Sequence, residues 1–272
     1  MKDYGMRRFA DKTVFITGGA GFIGQTLAYR FAAEGANVTI ADINKETLDR
    51  AAEKCEGRVL PIVCDVTNSA SVDAAVAKAD ETFGRFDILV HCAGGSARSE
   101  GKLLVDQSDE VINRVIGVNL MGAFWSNRAA ARAMIRHGNG GRIINIASAV
   151  GINGLRGCVD YAASKGGIMS MTKSLMKELA PHGITVNTAA FGVVARPESQ
   201  DNPAYTNGTN YLGQMCTAED CAALVCFLAS YEARFITGAN YVLDGGRTYA
   251  MKGTDGDITP VCATEYDNTK PF

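Results

Sequence analysis

Short apolar runs and stretches of helical periodicity alternate along this chain. Thr13-Val14-Phe15-Ile16 is an apolar run that ends in a glycine cluster, after which Leu27, Phe31 and Ala32 recur at helical spacing, so the segment reads as strand, turn, helix. Val38-Thr39-Ile40-Ala41, Val59-Leu60-Pro61-Ile62-Val63 and Ile88-Leu89-Val90 are further strands, each reached through a helical segment. Ile143-Ile144-Asn145-Ile146, Thr185-Val186-Asn187 and Asn240-Tyr241-Val242-Leu243 complete a set of seven. This alternation predicts an α/β fold, a doubly wound and mostly parallel sheet of seven strands flanked by helices on both faces.

Two helices carry more apolar residues than the rest. One begins near Tyr161, continues through Ile168, Met171, Leu175 and Leu179, and stops before Pro181. With Met169 and Met176 it is apolar on more than one face, which implies a partner surface. Val111, Ile112, Val115, Leu120 and Phe124 mark a second long helix of similar character. No linker or internal repeat divides residues 11–246, which are read as one domain after a lead-in of residues 1–10. Residues 193–217 mix polar and aromatic side chains (Asn202, Tyr205, Asn207, Asn210, Tyr211, Met215) as a substrate lid would. Residues 247–272 turn polar and form a tail. Its spaced apolar residues, among them Tyr249, Met251, Tyr266 and Phe272, suit docking against a neighbouring subunit, and the alternative is a disordered terminus.

Composition narrows the function. With 47% apolar residues, 21% charged residues and a net charge of -2, the chain has the make-up of a globular protein and lacks the basic field that nucleic acid requires. The eight cysteines form no Cys-x-x-Cys pair and have no histidine at zinc-finger spacing, so no metal site is expected. The absence of a basic start backed by a long apolar stretch, and of any apolar run of ~18 residues, predicts a cytoplasmic protein that stays off membranes, with reduced thiols.

The chemistry begins at Thr17-Gly18-Gly19-Ala20-Gly21-Phe22-Ile23-Gly24, between the first strand and the first helix. Glycines there let the backbone approach a pyrophosphate at a helix N-terminus. Asp42 closes the second strand ~20 residues on, where a carboxylate accepts bonds from both ribose hydroxyls and repels a 2′-phosphate, so NAD(H) is expected over NADP(H). A helix cap or turn residue is the alternative for Asp42. Tyr161 and Lys165 lie four apart on one helix face. A phenol whose pKa is ordinarily near ~10 needs nearby positive charge to work at neutral pH, and Lys165 and an oxidised nicotinamide would supply it. Ser148, thirteen positions before the tyrosine, could hold the substrate oxygen near the phenol.

Tyr161-x-x-x-Lys165 with Ser148 upstream resembles the active site of the short-chain dehydrogenase/reductase family, and the resemblance spans most of the chain. It extends to Asn119 in Val118-Asn119-Leu120, Asp65-Val66, Ala93-Gly94 and Val242-Leu243-Asp244-Gly245-Gly246. The resemblance implies a single Rossmann domain and an NAD(H)-dependent oxidation of a secondary alcohol to a ketone, with Asn119, Ser148, Tyr161 and Lys165 catalytic. Asn119 would hold a water linking Lys165 to solvent. Gly18, Gly21, Phe22, Ile23, Gly24, Asp42, Asp65, Val66, Ala93, Gly94, Tyr161, Lys165 and Val194 would bind the cofactor. A homotetramer is implied, with a dimer as the alternative. The sequence departs from the family at several points. Glycine stands at Gly21 rather than at the Phe22 position, a spacing shared with the branch of nucleotide-sugar epimerases and dehydratases. His91-Cys92-Ala93-Gly94 replaces Asn-Asn-Ala-Gly, and is read as a structural substitution at a strand end. Phe191-Gly192 replaces Pro-Gly, and Arg196 replaces a threonine. Transient use of the cofactor without net redox, or cofactor binding without turnover, are the alternative functions. Arg98, Arg156 and Arg196 are candidates to meet an anionic group on the substrate.

Overall fold

A computed structural model describes residues 7–196 and 210–249 of the chain. All seven expected strands are present: β1 (Thr13–Thr17), β2 (Asn37–Asp42), β3 (Val59–Val63), β4 (Ile88–His91), β5 (Gly141–Ser148), β6 (Ile184–Phe191) and β7 (Asn240–Leu243). They form one sheet in the order β3-β2-β1-β4-β5-β6-β7, and every neighbouring pair is parallel. The order turns back on itself between β1 and β4, which opens a crevice at the C-terminal ends of those two strands.

The helices are α1 (Phe22–Ala33), α2 (Lys45–Glu53), α3 (Ser69–Phe83), α4 (Asp109–Ile116), α5 (Gly122–His137), the single turn α6 (Val150–Asn153), α7 (Val159–Leu179) and α8 (Ala218–Ala229). Alternate strand residues feed two cores. Val14, Ile16, Ile40 and Ile144 meet Leu27 and Phe31 of α1 and Val225 of α8, while Phe15, Leu89 and Ile143 meet Val72 of α3 and Met134 of α5. Both faces are therefore covered, which is why the central strands read as continuous apolar runs. No helix among the described residues is long and apolar enough to cross a membrane.

β5 and β6 extend well beyond Ile143–Ile146 and Thr185–Asn187. The asparagines inside the expected runs are satisfied by the interior. Asn145 Nδ2 donates to Asn127 Oδ1 at 3.1 Å and to Thr172 Oγ1 at 3.2 Å, and Asn187 Nδ2 donates to the Ile236 carbonyl at 2.8 Å. Ser148 consequently ends β5 instead of following it. The second long apolar helix is interrupted: α4 and α5 are joined by a π-helical turn, Gly117–Met121, which contains Asn119. In α7, Ile168, Met169 and Met171 are buried within the chain itself. Their spread over several faces reflects packing between the sheet and the α4 region as much as any outer partner. Phe9, in the segment read as a lead-in, is fully packed, with its ring 4.7 Å from that of Phe31. Part of the lid, including Asn202, Tyr205 and Asn207, and all of the tail after Tyr249 lie outside the described residues.

Candidate active site

The crevice at the ends of β1 and β4 is built from close backbone approaches. Gly18 has φ +65, and a Cβ there would stand 2.7 Å from the Ala93 Cα. A Cβ on Gly24 would run into the Gly18 carbonyl oxygen, so the start of α1 sits directly on the turn after β1. Gly21 precedes α1 without a side-chain cap, and the first turn of α1 holds no acidic residue. The helix therefore presents its free N–H groups and positive dipole end to the crevice, a setting that attracts an anion. Phe22 is partly exposed at the first position of α1, Ile23 is half-buried and Gly24 is buried. This glycine cradle fits a dinucleotide pyrophosphate.

Asp42 ends β2 beside this turn, and its Oδ2 accepts the Ala20 N–H at 3.1 Å. The carboxylate thus braces the cradle while its other oxygen meets only the Asn44 N–H, at 3.4 Å, among the described residues. Asp65 folds its own loop, with Oδ1 accepting from the Thr67 N–H at 2.9 Å and the Thr67 hydroxyl at 2.7 Å. Val66 is buried against Gly122, the first residue of α5. Ala93 is buried, and Gly94, at φ +152, lies so close to Asn119 and Lys165 that a Cβ would collide with Asn119 Oδ1. Val194 follows β6, pairs with Cys216 in an isolated parallel bridge and is half-buried on the same core as α1. Phe191 is absorbed into that core, and Arg196 is exposed at the edge of the described segment.

The four expected catalytic residues converge beside the cradle. Ser148 ends β5, and its Oγ accepts the Val150 N–H at 3.2 Å as the chain turns into α6. Gly151 of α6 rests on the backbone of Lys165 and Gly166, leaving no room for a Cβ, and this contact brings Ser148 to the start of α7. There the Ser148 hydroxyl comes close enough to the Tyr161 phenol to influence its ionisation. Burial pushes the phenol pKa up, and the neighbouring Ser148 hydroxyl and the Arg98 charge oppose that rise. Lys165 is almost completely buried, with Nζ donating to the Ile146 carbonyl at 2.9 Å and standing 5.9 Å from the centre of the Tyr161 ring. Desolvation brings the Lys165 ammonium down to a pKa of about 8.

Asn119 is fully buried and its side chain is occupied. Nδ2 donates to the Gly95 carbonyl and to Ser164 Oγ, both at 3.0 Å, and Oδ1 accepts the Gly95 N–H at 2.9 Å. Ser164 Oγ in turn donates to the Tyr161 carbonyl at 2.8 Å. The side chain fastens the loop after β4 to α7, which leaves the Asn119 backbone as the part free to meet a water. Three contributors were missed or undervalued in sequence. Thr17 and Ser164 carry no spacing signal, and His91 was visible only as a departure from the family pattern. Of the candidate arginines, the field of Arg98 reaches the phenol.

The family model described as enoyl-(acyl carrier protein) reductase matches residues 19–248. The chain is 39% identical over 246 residues to 3-oxoacyl-[acyl-carrier-protein] reductase FabG of Thermotoga maritima, a match covering 88% of this chain and 98% of the relative. It is 36% identical over 248 residues to 2-dehydro-3-deoxy-L-rhamnonate dehydrogenase (NAD(+)) of Sphingomonas sp., covering 89% and 97%. A crystal structure of a short-chain type dehydrogenase/reductase from Mycobacterium marinum superposes with a TM-score of 0.83 at 31% identity, covering 92% of this chain and all of that one.

Proposed function

The chain belongs to the short-chain dehydrogenase/reductase family of oxidoreductases, and on that premise we propose that it interconverts a secondary alcohol and a ketone with NAD(H). The observation that carries the reading is the convergence of Ser148, Tyr161 and Lys165 beside the glycine cradle. Ser148 would hold the substrate oxygen against the Tyr161 phenol. The phenolate would take the hydroxyl proton during oxidation, and the phenol would return it during reduction. Arg98 favours the phenolate electrostatically, and the Lys165 ammonium would add to it, against a burial that disfavours it. When bound, the nicotinamide cofactor accepts or supplies the hydride.

Gly18, Gly21, Phe22, Ile23 and Gly24 would hold the pyrophosphate, Asp42 the adenosine ribose, and Asp65 and Val66 the adenine. Ala93, Gly94 and Val194 would flank the nicotinamide half. The placement of Asp42 beside the Ala20 N–H supports NAD(H), because a 2′-phosphate there would meet a carboxylate. The Sphingomonas relative, whose name includes NAD(+), points the same way. The reading further includes a cytoplasmic location and a homotetramer.

A panel of secondary alcohols and ketones, including a 3-oxoacyl thioester and a sugar acid, followed by NADH absorbance, tests the proposal. Stoichiometric NADH from one alcohol is the expected result. Conversion of substrate with no net NADH would assign the chain instead to transient cofactor use. No turnover with any member despite cofactor binding would favour a binding role.

A further inference from the structure

His91 closes β4, pairs in register with Thr17 of β1 and is fully buried. Thr17 Oγ1 accepts the backbone N–H groups of Cys92 and Ala93, each at 3.2 Å, and lies 3.0 Å from His91 Nδ1. A hydroxyl has two acceptor sites and one proton. With both acceptor sites used by backbone amides, Thr17 has its proton left to give, so it donates to Nδ1. That fixes the tautomer, because an accepting Nδ1 leaves the ring proton on Nε2.

Nε2 is buried and makes no hydrogen bond among the described residues; with Nδ1 taken by Thr17, it is the ring atom left to meet the Asn119 backbone, whose influence reaches the ring. Asn119 lies in the π turn between α4 and α5, where the backbone pairing shifts from i→i+4 to i→i+5. A donor aimed at this irregular turn is well placed to fix it. From Asn119 the hydrogen bonds continue through Ser164 Oγ to the Tyr161 carbonyl. Polar contacts thus run from Thr17, beside the cradle glycine Gly18, to His91, and from Asn119 to the helix that bears Tyr161 and Lys165, with the His91 Nε2–H standing between the two.

Burial, and then the charge of Lys165, hold the His91 ring neutral down to about pH 3. Lys165 on α7 is the charged group acting on it, and the adjacent Cys92 thiol is kept protonated, its pKa pushed up to about 11 by burial. His91 is therefore a fixed neutral donor across the working range and cannot serve as an acid or base.

We infer that His91 is a positioning residue: through its Nε2–H it sets the Asn119 turn and so holds the glycine cradle and the Tyr161–Lys165 helix in one geometry. This rests on the proposed dehydrogenase function, but its first test does not require turnover. Nitrogen-15 spectra of the histidine-labelled full chain should show, for the signal lost in His91→Gln, a neutral Nε2–H tautomer that does not titrate between pH 5 and 9. An Nδ1–H tautomer, or a titration in that range, would overturn the inference even if the enzyme turned over no substrate. With an active enzyme, His91→Phe should lower kcat at least tenfold and displace the limb of the pH profile governed by Lys165. His91→Gln, which keeps a donor and an acceptor, should recover most of both. Wild-type kcat and an unchanged profile in a folded His91→Phe protein would count equally against it, and if that variant does not fold, the tautomer spectrum decides.

Discussion

Burial shifts both Tyr161 and Lys165, the phenol pKa upward and the ammonium pKa downward. In the proposed reaction the phenol is the group that moves the proton, although burial raises its pKa. Tyr161→Phe, which preserves the ring packing, should lower kcat by about 10²–10⁴-fold with cofactor affinity retained. A variant keeping a third of wild-type kcat would sink the mechanism. Lys165 carries a stability cost as well. Its folded pKa of about 8 lies below its ordinary value of 10.5, so the unfolded chain binds more protons between those limits. Burying the ammonium costs stability below about pH 8, and the cost is relieved as pH climbs toward 10.5. The full effect is on the order of 3 kcal/mol. The cofactor-free wild type should therefore gain stability relative to Lys165→Met as pH rises through this window, in paired thermal melts. Parallel curves for the two proteins would mean that Lys165 is better solvated than its burial implies.

At the level of elements, the turn between β1 and α1 and the end of β2 act as one unit, because Asp42 hydrogen-bonds the Ala20 amide. Asp42→Ser removes the carboxylate that would repel a 2′-phosphate and should raise relative use of NADP(H), measured as a ratio of kcat/KM values. A wild-type enzyme already faster with NADP(H) would refute the assignment. Gly24 is needed for a different reason, since any Cβ there meets the Gly18 carbonyl. Gly24→Ala should push α1 off the turn, destabilise the fold by ~2 kcal/mol or more and weaken cofactor binding. Titration calorimetry with NADH and a denaturant melt separate the two effects, and an unchanged Kd would show that the cradle tolerates the shift.

For the whole molecule, the open question is assembly. Burial of Ile168, Met169 and Met171 inside the chain removes part of the surplus that pointed to a partner surface. Phe124 of α5 and Val159 of α7 nevertheless remain exposed, at 43% and 47%. We expect these helices to pair across subunits, giving a tetramer by light scattering at micromolar concentration. Phe124→Asp should shift the mass toward smaller species, and a monomeric wild type would contradict the expectation.

The sheet and the candidate site residues were readable from the sequence alone. Seven apolar runs became seven strands, because a parallel sheet buried on both faces imposes hydrophobicity along its whole length. The four-residue spacing of Tyr161 and Lys165 also needed no partner element to be read, since an α-helix places such residues on one face. The extents of β5 and β6 were hidden, because end residues such as Ala147, Ser148, Thr188 and Ala189 are too small or polar to continue an apolar run, and it is pairing between the two strands that carries them on. The π turn at Asn119 was equally invisible, since periodicity does not register one extra residue in a helix. Only the tertiary structure decided that Asn119 ties the β4 loop to α7 and that His91, which looked like a bland substitution, stands between Thr17 and that turn. Such roles arise from which donors and acceptors the packed core leaves to one another, and residues separated by tens of positions acquire them only when the sheet brings their strand ends together.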